Sequence, residues 1–304
     1  MCIAVVGSIN TDLTIKVPHI SQRNETVVGT GGYTLSQGGK GANQAVAAAV
    51  GGAPVYMIGK VGLDDFGDRA IESLKEAGVN CDHVLRSSEA STGLATILVD
   101  DNGDNSISVA PGANEQLTPA DIRGAESIIA QAQIVMIQLE IPIETVHEAV
   151  QCAHKNNTLV MLNPSPAPAK PLKCLALVDY LLPNEIEAEA LTGLSSQTDT
   201  GPGAMASALL NTGARNVVLT LGARGCFISN AEIEEHITPH EVTAIDTTGA
   251  GDAFSGFLAM SLAKGMSFKE SVNTASAAAA ISVTRPGART NLPSWSEVEQ
   301  FITA

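Results

Sequence analysis

Aromatic side chains are scarce, 3% of the 304 residues, so a core of normal size must be packed from Ala, Val, Ile and Leu. The hydrophobic share of 44% is ordinary for a globular protein. Positive charge is scarce too: 17 Lys and Arg stand against 32 Asp and Glu, a formal charge of −15. Such a surface repels nucleic-acid backbones and anionic lipid, so neither is an expected partner, and an anionic ligand needs a local device to hold it. The five cysteines (Cys2, Cys81, Cys152, Cys174, Cys226) are scattered and form no CxxC pair. That argues against a zinc site or a disulfide framework and for a reducing cytoplasm. The most apolar stretch, Ala253 to Ala263, is too short to span a bilayer and is interrupted by Ser255, Gly256 and Ser261. The opening residues carry neither the basic region nor the cleavage site of a secretory signal. A soluble cytoplasmic protein is expected.

What is present is an alternation of short apolar runs and longer stretches with helical spacing. Ile3–Val6, Val55–Ile58, Ile134–Leu139, Leu159–Leu162, Tyr180–Leu182 and Val217–Leu221 read as buried strands. Asp65–Glu76, Ile143–His154, Glu185–Leu191 and Gly203–Thr212 read as the helices between them. Strands without inside/outside alternation, separated by helices, predict a doubly wound, mostly parallel α/β sheet covered on both faces. Two stretches, about 13–36 and 92–110, have β character but no intervening helix. In the second, Asp101-Asn102-Gly103-Asp104 separates Thr92–Val99 from Asn105–Val109, a hairpin pattern with one face wet and the other covered. Together they predict a small β lid inserted into a single domain of 1–304; an ordinary edge hairpin is the alternative.

Polar residues recur just after the predicted strands: Asn10 and Asp12, Glu140, Asn163, Asn184, and Thr220 with Gly222. One such residue would be turn chemistry. Five strands sharing the habit predict a polar crest at their carboxyl ends, where open α/β sheets bind ligands.

Two glycine-rich motifs carry chemistry. In Asp246-Thr247-Thr248-Gly249-Ala250-Gly251-Asp252, followed by a helical run, bare amides at a helix N-terminus can gather around an anion. Such a nest at Gly249, Ala250 and Gly251 suits the charge of a transferring phosphoryl group, and Asp252 is placed to act as general base. The alternative makes Asp252 a helix cap. The second motif, Gly38-Gly39-Lys40-Gly41-Ala42-Asn43, fails as a P-loop because Gly41 follows Lys40 and Thr34 occupies the upstream glycine position. Neither motif completes G-x-G-x-x-G, since Phe254 and Gln44 fill the sixth positions, which removes the usual support for dinucleotide binding. A backbone pressed against a small polar ligand is the remaining reading, with a flexible turn as its alternative.

With Gly7-Ser8-Ile9-Asn10-Thr11-Asp12, Gly59–Gly67, Gln138-Leu139-Glu140, Pro183–Glu187 and Thr220–Gly225, these motifs resemble, in order and over essentially the whole chain, the ribokinase family of carbohydrate kinases. The resemblance implies ATP-dependent phosphorylation of the 5-hydroxyl of D-ribose. It implies sugar contacts from Asn10, Asp12, Gly38, Gly39, Lys40, Gly41, Asn43 and Glu140, with Asp252 as base and an anion hole at Gly249–Gly251. ATP would meet Asn184, Thr220, Leu221, Gly222, Ala223, Arg224, Gly225 and Gly251, with adenine near Ser276. Asn184 and Glu187 would organise Mg²⁺, through water. A monovalent cation, K⁺, would sit among Asp246, Thr248, Ser282, Arg285, Gly287 and Asn291. A homodimer through the lid is also implied. One departure is visible: Arg23-Asn24 stand where the family often has Pro-Gly, which leaves that turn's geometry open.

The rivals are a related kinase acting on deoxyribose, fructose or a nucleoside such as adenosine, and a catalytically silent sugar-binding regulator. The intact Asp252 argues against silence. The pairs His236/His240 and His147/His154 lack a third ligand, and Trp295 reads as packing.

Overall fold

The computed structural model describes residues 2–195 and 201–303. Its strands are β1 Ile3–Val6, β2 Asn10–Lys16, β3 Tyr33–Gly38, β4 Val55–Gly62, β5 Val79–Ser87, β6 Gly93–Val99, β7 Asn105–Ala110, β8 Ile134–Ile137, β9 Leu159–Leu162, β10 Tyr180–Leu181, β11 Asn216–Thr220, β12 Cys226–Ser229 and β13 Glu234–Ile237. Its α-helices are α1 Lys40–Val50, α2 Asp65–Glu76, α3 Pro119–Gly124, α4 Glu126–Gln131, α5 Ile143–Lys155, α6 Glu185–Thr192, α7 Pro202–Leu210, α8 Ala250–Ala263, α9 Phe268–Ser282 and α10 Trp295–Thr303.

A nine-stranded sheet runs in the order β13-β12-β11-β10-β9-β8-β1-β4-β5. The strands from β11 to β5 pair in parallel, and the β12–β13 hairpin adds an antiparallel edge. The middle of the parallel part needs cover on both faces, because β1, β8 and β9 are apolar throughout. Ile3, Val5 and Met57 point into one core under α1, α8 and α9, while Ala4, Val6 and Ile58 point into the other with residues of α5 and α7. Successive side chains on β1 therefore alternate between two dry faces, as the period of a strand requires. The chain enters at β1, winds outward to β4 and β5, and returns to β8 on β1's other side. This reversal between β1 and β8 is the switch point of a doubly wound sheet.

The two β-rich stretches form a second sheet, β3-β2-β6-β7. Its first strand begins at Asn10, earlier than expected, so Asn10 and Asp12 belong to this sheet and not to the end of β1. Asn10 pairs with Gly38 on one side and Gly93 on the other. β7 is exposed along its whole length, including Ile107 at 55% and Val109 at 52%, so neither face of that strand is covered by this chain. The turn at Arg23-Asn24 keeps a left-handed backbone: Asn24 takes φ 65°. Asn is among the residues that tolerate that region, which explains how the chain manages without glycine there.

Candidate active site

Both glycine motifs open helices. The second is not a loop: Lys40 to Asn43 form the first turn of α1, with Gly39 at φ 89° as its cap. α8 likewise starts at Ala250, behind Gly249 in the left-handed region at φ 75°. Neither cap glycine has a side chain to hold the helix start, so the positive ends of both helix dipoles are left to other groups. A cleft of about 170 Å³ lies at the start of α8. It is bordered by Lys40, Asn163, Asn184, Glu187, Thr220 and Gly249 to Asp252.

Asp252 stands in the first turn of α8 but is no cap; its carboxylate turns inward to α1. Asn43 Nδ2 donates to Asp252 Oδ2 at 3.0 Å, and Gln44 Nε2 donates to Oδ1 at 3.0 Å. Gln44 is itself oriented, for its Oε1 accepts from Gln138 Nε2 at 2.6 Å and its Nε2 also reaches Asn163 Oδ1 at 3.1 Å. Burial raises the Asp252 pKa, against the charge of Lys40 and these hydrogen bonds, which lower it; the Glu140 charge adds to the rise. A carboxylate with depleted solvation and raised basicity is suited to taking a proton.

The strand ends supply the rest. Glu140 Oε2 accepts from Ser8 Oγ at 2.5 Å and from the Lys40 amide at 3.1 Å, so it spans the switch point and holds the N-terminus of α1. The Asp12 carboxylate lies against the Cα of Gly38, where any side chain would strike it. Burial pushes the Asp12 pKa up to about 6, the Arg289 charge opposing and those of Glu140 and Asp252 adding to the shift. Asn10 Oδ1 accepts from Asn114 Nδ2 at 2.7 Å, and Asn114 is fixed by the backbone of Ile9 and Pro111. Asn10, Asp12, Gly38, Gly39, Lys40, Gly41, Asn43, Glu140 and Asp252 are thus gathered at one end of the sheet.

Sequence reasoning missed Gln44, Asn114 and Arg289 as site residues. Gln44 was discoverable as the second amide, next to Asn43, inside an otherwise apolar Ala42–Ala49 run; Asn114 and Arg289 carry no local signal. Arg289 Nε donates to Asn43 Oδ1 at 2.7 Å and Nη2 to the Gly38 carbonyl at 2.6 Å. A guanidinium only donates, so the Asn43 oxygen must face it and the Asn43 amino group must face Asp252.

On the other side of the cleft, Asn184 and Glu187 form a reciprocal cap of α6, with both hydrogen bonds at 2.9 Å. Thr220 bridges to Asn184 across the strands. Gly222–Arg224 form a short 3-10 turn, and Arg224 pairs with Glu185 at 2.6 Å. Leu221, Gly222, Ala223, Arg224, Gly225 and Ser276 do not border the cleft itself. Beyond α8, Asp246 accepts from the amides of Thr248 and Gly287, each at 2.9 Å. These bonds outweigh the effect of burial and lower its pKa. Ser282 meets the Arg285 amide and Asn291 Nδ2 through its carbonyl. The six residues expected around a monovalent cation are therefore neighbours. His236 instead bonds the Arg224 carbonyl, and His240 packs on Phe301. Trp295 packs against the core beneath Lys264.

A carboxylate at the uncapped start of α8, beside a polar cleft at the carboxyl ends of β9, β10 and β11, fits a phosphotransferase acting on a hydroxyl. The family model described as pfkB family carbohydrate kinase matches residues 2–295, and this chain belongs to that family. A ribokinase of Haemophilus influenzae is 40% identical over 300 residues, covering 99% of this chain and 98% of that protein. A deoxyribokinase of Salmonella typhi is 36% identical over 304 residues, covering 100% and 99%. The structure of Arabidopsis thaliana ribokinase complexed with ribose and ATP superposes with a TM-score of 0.89 at 30% identity, covering 100% of this chain and 99% of that one.

Proposed function

We propose that this carbohydrate kinase phosphorylates the 5-hydroxyl of D-ribose, giving D-ribose 5-phosphate and ADP from ATP. The observation that carries the reading is the junction at Asp252. One carboxylate stands at the open start of α8 and is hydrogen-bonded to Asn43, within the electrostatic reach of Glu140. Sugar recognition falls to Asn10, Asp12, Asn43, Glu140 and the backbone of Gly38 to Gly41. Asp252 takes the proton of the primary hydroxyl as its oxygen bonds to the γ-phosphorus and the bond to ADP breaks. The amides of Gly249–Gly251 and the charge of Lys40 oppose the negative charge on the transferring group, which is most of what phosphoryl transfer asks of a protein.

The residues present fit two cations. Asn184 and Glu187 border the cleft with hard oxygen donors, but their mutual cap engages both side chains, so Mg²⁺ would be held through water. Asn291 Oδ1 is buried beside Ser282 without a partner among the described residues, which fits K⁺ among Asp246, Thr248, Ser282, Arg285, Gly287 and Asn291. Bound there, these ions supply charge neutralisation. ATP would lie along Asn184, Thr220 and the 221–225 turn toward Ser276, and the four-stranded sheet would act as a lid over the sugar. Five unpaired cysteines fit a cytoplasmic setting.

The similarity to a deoxyribokinase makes 2-deoxy-D-ribose the second reading. Asp12 favours the first, since a buried carboxylate left without its hydroxyl partner is penalised. ADP release coupled to an indicator enzyme, across D-ribose, 2-deoxy-D-ribose, D-fructose and adenosine in K⁺ or Na⁺, decides between them. We expect D-ribose to lead by at least ~10-fold in kcat/KM and K⁺ to exceed Na⁺. A lead for deoxyribose overturns the substrate, and equal rates in the two salts remove the cation assignment.

A further inference from the structure

Resting on that reading, we propose that Arg289 is a sugar-binding residue whose Nη1–H donates to a hydroxyl oxygen of the acceptor, the same hydroxyl whose proton Asp12 accepts. Arg289 lies in the segment after α9, far in sequence from every other sugar contact. Two of its three guanidinium nitrogens are committed: Nε to Asn43 Oδ1 and Nη2 to the Gly38 carbonyl. Nη1 is buried and has no partner among the described residues. A buried charged donor left unpaired is costly, and such groups in native sites are matched to something that binds there. Both partners that fix the guanidinium plane belong to the sugar pocket, which places the guanidinium in that pocket's wall.

Asp12 completes the pair. Its carboxylate rests on Gly38, the residue whose carbonyl Arg289 holds, and the two charges act on each other's ionisation. No hydrogen bond or ion pair joins them directly among the described residues. A hydroxyl both donates and accepts. Set between an acceptor-only carboxylate and a donor-only guanidinium, it satisfies both at once, whereas a hydrogen in its place leaves the half-buried carboxylate and the buried Nη1–H without that partner. Arg289 would then share the discrimination against deoxy sugars with Asp12. Neither lysine nor an amide reproduces the arrangement, because only the planar fork reaches Asn43, Gly38 and a ligand together.

The test is calorimetric binding of D-ribose, and of riboses each lacking one hydroxyl, to the full-length wild type, Arg289→Met and Arg289→Lys without nucleotide. Turnover kinetics and the KM for ATP are measured alongside. Arg289→Met should bind D-ribose at least ~10-fold more weakly, ~1.4 kcal/mol, with the KM for ATP within about twofold as the sign of an intact fold. For one deoxy sugar the difference between wild type and Arg289→Met should vanish, since the contact is already missing. Arg289→Lys, which keeps the charge and most of the stem, should show the same pattern and serves if the Met variant does not fold. Equal weakening toward every sugar would mean that Arg289 only orients Asn43, and unchanged D-ribose binding would remove it from the site; either result overturns the proposal. Failure of the wild type to bind D-ribose at all would instead overturn the ribose reading on which it rests.

Discussion

Asp252 is held on both carboxylate oxygens by side-chain amides of α1, and burial raises its pKa. Asp252→Asn keeps the shape and the neighbours but cannot accept the hydroxyl proton. We expect kcat to fall by ~10²–10⁴ while D-ribose still binds, as rapid-quench turnover and calorimetry would show. Near-normal turnover would remove the general base. Asp12 makes a different prediction, because its pKa rises to about 6 in the folded chain. Between the ordinary carboxylate range and about 6, the folded protein holds a proton on Asp12 that the unfolded chain has released. Stability from this group therefore falls as pH rises through that window and stays low above it. Asp12→Asn should raise stability at pH 8 by about 1–2 kcal/mol, allowing for partial exposure, and should leave it little changed at pH 4. The same variant should lose D-ribose binding. Chemical denaturation at the two pH values checks the sign.

Two helix starts meet at the site, and their glycines do different work. Gly41 lies against β1: an added Cβ would stand 2.7 Å from the Gly7 carbonyl carbon and the Ser8 amide. Gly41→Ala should therefore cost stability by about 1–3 kcal/mol, read as a lowered Tm. Gly251 has nothing within 4 Å of an added Cβ, because that position faces the cleft. Gly251→Ala should leave Tm unchanged or slightly raised yet lower kcat by at least ~10-fold, its methyl intruding where the phosphoryl group is to be held. A large Tm drop in Gly251→Ala would show that the start of α8 is not open. The small residues of α1 also matter: Ala47 and Ala48 lie against Gly256 of α8, and this close approach brings Asn43 and Gln44 to Asp252.

Across the whole molecule, the four-stranded sheet leaves part of its apolar surface open, as Leu63, Ile186 and Ile245 do elsewhere among the described residues. Ile107 and Val109 are each more than half exposed on a strand with no neighbour on its outer edge. An exposed apolar edge of this kind is usually met by another surface, which supports the proposed dimer. Light scattering should give twice the chain mass, and Ile107→Asp with Val109→Asp should give one chain. A wild-type monomer at micromolar concentration would discard the dimer. The charge of −15 argues that ATP is captured locally, by helix ends, Lys40 and bound cations.

The doubly wound sheet was legible in the residues, because apolar runs and helical spacing are local properties of the chain. Asp65–Glu76 was read to the residue, and the strand at Leu159–Leu162 likewise. The glycine motifs and polar strand ends announced most of the pocket for the same reason. Folding alone decided that Lys40 opens a helix, that Asn10 starts a strand of the second sheet, and that Asn114 and Arg289 join the site. Those outcomes depend on backbone packing and on hydrogen bonds between residues separated by as many as 251 positions, where no spacing in the chain carries a signal.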